Sequence, residues 1–541
     1  AWARPGCCSS LRPLRTKSGS TPALSSPAAA TETLDMTDSP ARPLRIIVLG
    51  GGTAGWMAAS LMQRRWGERG FEITVLESPD IGIIGVGEGS TPQLKAFFDV
   101  LGIAEADWMG RCNATYKAGI EFRGWSDRPG AASYFHPFPN EIDERTAPAF
   151  FFNATVRRRG ADVPAHPDRF FLASLLARRK LAPLPDYNFP FRSWYGYHFD
   201  SALIGRFLRE HQVARGVRHV EGTVARVEQA ENGDIAALHT SDGRRIEGDF
   251  FVDSTGFRSL LLQETLAVRF NSFGENLFND SAVVVQTPAD TDGIVPQTTS
   301  TALSCGWAWR IPLQSRVGNG YVYSSRYIDK DAAEAELRAH LGIPPEHPPL
   351  RHLSMKVGRV EQHWARNCLG VGLSQGFIEP LEATALHLVQ ATVEGFIDAF
   401  EAGGFSDAHR DACNAAINRR FDGVRDYIVC HFKIASRKDS EYWRDCAQNE
   451  VLPPNLRALM QTWYRGEDLN AEVQRLGIDG YYAPFSWQCI FAGYGMFPPP
   501  DKLIPASAKA NRYDLALIDD FLSRCALNYR PHDEVLRELA G

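Results

Sequence analysis

Three groups of residues in this chain have types and spacings that could do chemistry. In Gly50-Gly51-Gly52-Thr53-Ala54-Gly55, the glycines at 50, 52 and 55 complete a G-x-G-x-x-G fingerprint. One glycine serves a tight turn, one the close approach of backbone to a pyrophosphate, and one close helix–strand packing. Thr53 and Ala54 would open a helix whose free N–H groups and partial positive charge face phosphates. Glu77 ends the next strand, where a carboxylate accepts hydrogen bonds from a ribose. A glycine-rich turn without a ligand is the bland alternative, and the strand–turn–helix–strand–acid context outweighs it. The second group is Trp307, Trp309 and Ile311, which alternation along a strand projects to one face. Two indoles there make a rigid wall, a role compatible with ordinary core packing. The third is Lys117, flanked mostly by small or apolar residues. A lone lysine is ordinarily a solvated charge; one in an apolar channel has a lowered pKa.

Alternating strands and helices must position these groups. Arg45–Leu49 reads as a buried parallel strand, followed by a helix over residues 54–65 and a strand over Glu72–Leu76. Residues 248–255 repeat the strand-then-glycine theme, while 381–402, 411–430 and 514–539 have helical periodicity. The fold class is therefore α/β: a Rossmann-like nucleotide-binding core carrying a partly helical module over residues 43–541. Residues 1–42 are rich in Ser, Pro, Ala and Thr and lack either period. Met36 leads directly toward the first strand, so residues 1–35 read as upstream sequence and stand outside the fold.

With 58 Lys plus Arg against 64 Asp plus Glu, the net charge of −6 disfavours a nucleic-acid or anionic-membrane partner. The run Arg157-Arg158-Arg159 reads as a solvated face. The 10 cysteines lack CxxC spacing, which points to reduced thiols in a cytoplasmic protein, with no metal site. No apolar run approaches the ~20 residues that cross a bilayer.

Asp253-Ser254-Thr255-Gly256 resembles the second flavin-contacting strand of large FAD monooxygenases, which favours FAD over a nicotinamide cofactor. Three further segments carry a closer resemblance. They are Gly306–Pro312 (GWAWRIP), residues 84–92 (IGVGEGSTP) and Phe377–Thr384 (FIEPLEAT). With the glycine fingerprint, they resemble the signatures of flavin-dependent tryptophan halogenases, in the family's order, from Leu44 to about Pro498. The resemblance implies an FAD monooxygenase-type core that takes FAD as FADH2 from a separate NAD(P)H-dependent flavin reductase. With O2 and chloride or bromide it would make hypohalous acid. No second dinucleotide fingerprint is present, so the electrons come from elsewhere.

By the same resemblance Lys117 is the essential lysine, which hydrogen-bonds hypohalous acid or carries the halogen as a haloamine. Glu382 is the catalytic glutamate, and Glu379 is structural. Backbone amides at Thr384 and Ala385 would contact halide; Ala385 stands where glycine is common, and Ala383 where serine is frequent. Ser78, Gly89, Val224, Leu373 and Leu386 join Gly50, Gly52, Thr53, Ala54, Gly55 and Glu77 in contacting FAD. Trp307 and Trp309 separate substrate from flavin. His136 and Phe138 sandwich an indole, with Pro92 in the same pocket.

The stretch Tyr481–Cys489 matches the family's substrate-lid region, but it is short and has no charged side chain. It is expected to leave an open pocket suited to indole or a substituted indole rather than free tryptophan. A single-component FAD hydroxylase and a non-catalytic flavin-binding protein are the rival readings. The first would need its own nicotinamide contact, and the second predicts no halide-dependent turnover.

Overall fold

The computed structural model describes residues 43–79, 87–186, 188–344, 346 and 348–540. The readings of residues 1–42 and of Ile84, Gly85 and Val86 lie outside the described residues.

Two sheets organise the chain. In the first, Arg218–Glu221, Glu72–Glu77, Arg45–Leu49, Phe250–Asp253 and Cys368–Gly370 lie side by side and parallel. Trp364–Ala365 adds an antiparallel edge. The chain runs outward on one side of Arg45–Leu49 and then returns to the other. The end of that strand is thus a topological switch point, where ligands bind in sheets of this kind. After the half-buried Arg45 its residues are β-branched or aliphatic and buried, as a strand covered on both faces requires. Helix Thr53–Trp66 follows directly and packs on the sheet.

The second sheet has seven strands, ordered Arg351–Ser354, Ser281–Pro288, Arg316–Tyr323, Gly306–Pro312, Thr298–Leu303, Gly119–Arg123 and Ser133–Pro137. All neighbours are antiparallel except Thr298–Leu303 with Gly119–Arg123. A small third sheet holds Gly196–Phe199 between Glu88–Gly89 and Thr115–Lys117. Helices Ala385–Ala402 and Arg410–Ile434 pack on one another, and buried side chains from both sheets and these helices form one continuous cluster.

Three expectations are corrected. The helix expected from Leu381 starts at Ala385, because Ala383 takes a left-handed conformation (φ 54°) that ends a short 3₁₀ turn. The helix expected over 514–539 is two, Leu515–Cys525 and His532–Ala540, with strand Tyr529–Pro531 between them. Pro531 lacks an N–H and biases its predecessor to extended backbone, which a continuous helix cannot accommodate. Nor is Arg157-Arg158-Arg159 a solvated face. Arg157 donates to Val163 O, Arg158 to Trp463 O and Glu467 O, and Arg159 to Gly466 O. Arg158 also lies 4.4 Å from the Trp463 ring centroid, so the run ties helix Ala147–Arg158 to a neighbouring turn.

Candidate active site

At the switch point the glycine fingerprint has the geometry its sequence implies. Gly50 has φ 110°, and a side chain there would strike Ser254 O; one at Gly55 would strike Gly50 O. Beside Gly52 the space is open, at the N-cap of helix Thr53–Trp66. Gly372, in the turn carrying Leu373, would strike the Ala54 methyl if it bore a side chain, so that turn lies against the helix start. At the other end, Ser78 Oγ is 2.8 Å from Thr223 Oγ1, beside Val224. Glu77 Oε1 accepts from Arg209 (3.1 Å) and His219 (2.5 Å), while Oε2 faces Gly51. The structure thus brings Gly50–Gly55, Glu77, Ser78, Val224 and Leu373 around one sheet end.

Lys117 is fully buried, and its Nζ has no hydrogen-bond partner among the described residues. It sits 5.4 Å from the Phe138 ring centroid and against Gly89, near His198 and Thr298. Burial lowers its pKa to about 7, with Glu382 opposing the shift. Its surroundings are mixed, the Phe138 ring and Gly89 on one hand and His198, Thr298 and the Glu382 charge on the other. His136 is also buried and is lowered to about 4, chiefly by burial, so it is neutral.

Glu382 and Glu379 lie on either side of Pro380-Leu381, in different surroundings. Glu379 is fully buried and accepts from Trp307 Nε1 (2.7 Å) and Asn279 Nδ2 (2.8 Å). Burial raises it to about 7 against those bonds. Glu382 Oε1 is 2.9 Å from His431 Nε2, and His431 Nδ1 is 2.8 Å from the Tyr494 hydroxyl. Burial pushes the Glu382 carboxyl up, but the His431 hydrogen bond, with His136, His431 and Lys117 nearby, holds it below its ordinary value. Burial lowers His431 too, which favours a neutral ring donating to a carboxylate.

A narrow cavity has Pro92, His136, Phe138, Glu382 and Thr384 on its wall. Trp307 and Trp309 are not on that wall; their rings lie 6.1 Å apart in the adjoining core. Trp307 is tethered to Glu379, and the Trp309 indole lies across Gly320, where a side chain would collide with it. Ala385 opens its helix without positive φ, so glycine is not required there. Leu386 is buried one residue on.

The short stretch Tyr481–Cys489 reaches the cavity after all. Tyr481, Tyr482 and Ser486 line it, and Tyr482 stacks on Tyr427 at 3.7 Å. The expected open pocket is thus a narrow one, because the turn before helix Pro484–Gly493 swings both tyrosines inward. Sequence reasoning missed His431, bonded to Glu382, and Arg420, on the cavity wall; both belong to helix Arg410–Ile434, one in its last turn and one in its interior, where spacing alone marks neither.

Comparisons with known proteins agree with this geometry. The family described as tryptophan halogenase matches residues 45–509. The 7-chloro-L-tryptophan 6-halogenase KtzR of Kutzneria sp. (strain 744) is 36% identical, over 92% of this chain and 99% of its own. The crystal structure of the tryptophan 6-halogenase SttH from Streptomyces toxytricini matches with a TM-score of 0.78 at 32% identity, covering 92% of this chain and 99% of that one. BrvH, a flavin-dependent halogenase from Brevundimonas sp. BAL3, matches with a TM-score of 0.77 at 30% identity, over 92% and 100%. With its glycine turn at the switch point and its buried lysine beside a glutamate-lined cavity, this chain belongs to the tryptophan halogenase family and is a flavin-dependent halogenase.

Proposed function

We propose that residues 43–541 form one halogenase unit that uses FADH2 from a separate NAD(P)H-dependent reductase, O2, and chloride or bromide. Its substrate is indole or a substituted indole rather than free tryptophan. The observation that carries this reading is the buried Lys117 amine, without a hydrogen-bond partner among the described residues. A buried ammonium is costly, and a neutral amine at this place has a use.

The chain fits FAD. The open space beside Gly52, at a helix N-terminus, suits a pyrophosphate. Gly50, Gly52, Thr53, Ala54 and Gly55 would hold it there. Glu77, Ser78 and Val224 would meet the adenosine end, and Gly89, Leu373 and Leu386 the flavin end. When bound, reduced FAD with O2 supplies the oxidation of halide to hypohalous acid.

The chain's own residues do the rest. Backbone amides at Thr384 and Ala385, where helix Ala385–Ala402 opens, offer N–H groups and a partial positive charge to halide. Trp307 and Trp309 keep the organic ring from the flavin. Lys117 holds the oxidised halogen by a hydrogen bond or as a haloamine. His136, Phe138 and Pro92 hold the aromatic ring, which gains the halogen at carbon while its displaced proton passes to the Glu382 carboxylate. Free tryptophan fits poorly: Glu382 is the sole acid lining the cavity among the described residues, and His431 already engages it.

The test is mass spectrometry of an aromatic library incubated with the protein, FAD, a flavin reductase, NADH and bromide. Brominated indoles are expected. Hydroxylated products, or no halide-dependent product, would overturn the reading.

A further inference from the structure

The rim of the cavity carries a cation that the halogenation chemistry does not use. Arg420, from helix Arg410–Ile434, lines the cavity beside His387 of helix Ala385–Ala402. Arg420 Nη1 lies 3.3 Å from His387 Nε2. A guanidinium can only donate, so His387 Nε2 accepts and the ring proton sits on Nδ1. That Nδ1 is buried and has no hydrogen-bond partner among the described residues. Arg420 itself forms no ion pair with a carboxylate among the described residues; Glu394 acts on it only through its charge. Tyr481 covers it, the guanidinium 5.9 Å from the ring centroid, and the Tyr481 ring lies against Gly423 on the same helix.

The rim thus carries a guanidinium that, among the described residues, has His387 and the Tyr481 ring as neighbours but no carboxylate partner. A carboxylate docked at the rim would accept from the guanidinium in a charge-assisted, bidentate geometry, with His387 holding the guanidinium from the other side. An ammonium would meet only repulsion there, since Glu382 is the sole acid on the cavity wall among the described residues and His431 already engages it. Thus the rim discriminates by charge.

We propose that Arg420 and His387 form an anion subsite, and that the preferred substrate is an indole carrying a carboxylate and no free ammonium group. This rests on the halogenase reading above and names its substrate class. The carboxylate docks at the rim while the ring reaches inward toward His136, Phe138 and Glu382. Tyr481 then closes over the side chain joining the two.

The test compares indole-3-propionate, its uncharged isostere indole-3-propionamide, and indole. It uses the full chain with FAD, a flavin reductase, NADH and bromide, and calorimetry measures binding of the acid and the amide in parallel. The acid is expected to exceed the amide in kcat/KM by about tenfold or more, the scale of a hydrogen bond to a charged group. Arg420→Gln should bring that ratio close to one, and Arg420→Lys should restore part of it. Equal turnover and equal binding of acid and amide by the wild-type protein would overturn the subsite, as would a preference that survives Arg420→Gln. If none of the three compounds is halogenated while the acid still binds more tightly than the amide, the indole-halogenase reading fails and the subsite stands.

Discussion

His431 Nε2 and Glu382 Oε1 stand 2.9 Å apart with both side chains essentially out of solvent, and the far nitrogen of His431 meets the Tyr494 hydroxyl. This contact holds the Glu382 carboxyl below its ordinary pKa, whereas burial alone would raise it. Glu382→Gln preserves shape and hydrogen bonding but removes the base. We expect kcat to fall by roughly 10² or more with KM little changed. His431→Phe should raise the Glu382 pKa and move the acidic side of the kcat profile to higher pH. Glu379→Gln, which alters the anchor of Trp307 and Asn279, should lower Tm more than kcat. A kcat collapse confined to Glu379→Gln would reverse the two assignments.

Titration of Lys117 should affect both turnover and stability. Its amine must be neutral to take the halogen, so kcat should rise with pH through about 7. Lys117→Ala should abolish halogenation while FAD binding, followed by flavin absorbance, persists. Its folded pKa lies below the unfolded value, so the unfolded chain binds more protons between about pH 7 and pH 10. Wild-type stability should therefore rise with pH across that window, and Lys117→Met should be the more stable protein at pH 7. Thermal melts of the two proteins across pH decide this. No difference in slope would mean that Lys117 is hydrated.

Electron supply can be checked without mutation. The protein with FAD should accept reduced flavin delivered by an unrelated reductase. Mixed with FAD and NADPH alone, it should not bleach the flavin at an appreciable rate. Rapid stand-alone oxidation of NADPH, followed at its absorbance band, would favour the hydroxylase.

Substrate choice is the sharpest discriminator of the pocket. At equal concentration, indole or an N-acylated tryptamine should be halogenated faster than free tryptophan, because the ammonium of the latter finds no acceptor. A kcat/KM for free tryptophan well above that for indole would mean that this cavity opens onto an acid or carbonyl not facing it in this structure.

Much of the site was legible in the sequence because it depends on backbone shape. Gly50, Gly52 and Gly55 declare a turn and a close approach, and alternation puts Trp307 and Trp309 on one face. Other features depend on distant partners, which local pattern does not encode. Arg157–Arg159 look like surface charge until carbonyls of residues 463–467 arrive to receive them. His431 and Arg420 are ordinary helix residues until the fold sets them beside Glu382 and His387. Gly320 has no local signature, yet the Trp309 indole lies over it from the neighbouring strand. The left-handed Ala383 was invisible for another reason: alanine is a poor marker of positive φ, and it costs about 1 kcal/mol there.

The order of the nucleotide-binding sheet also bears on how the chain is assembled in time. Arg45 donates its amide to Asp249, 204 residues away, and the strand beyond that arrives only at Cys368. Pairings so distant in sequence close slowly, because a long loop must be ordered before any contact rewards it. Until then the first strands show a bare, aliphatic edge that invites aggregation. The glycine turn after Leu49 and the turn at Gly372 lie together only when that sheet is complete. A dinucleotide bridging both turns would select the closed sheet, so yield on refolding should climb when FAD is present during renaturation and fall with rising temperature when it is withheld.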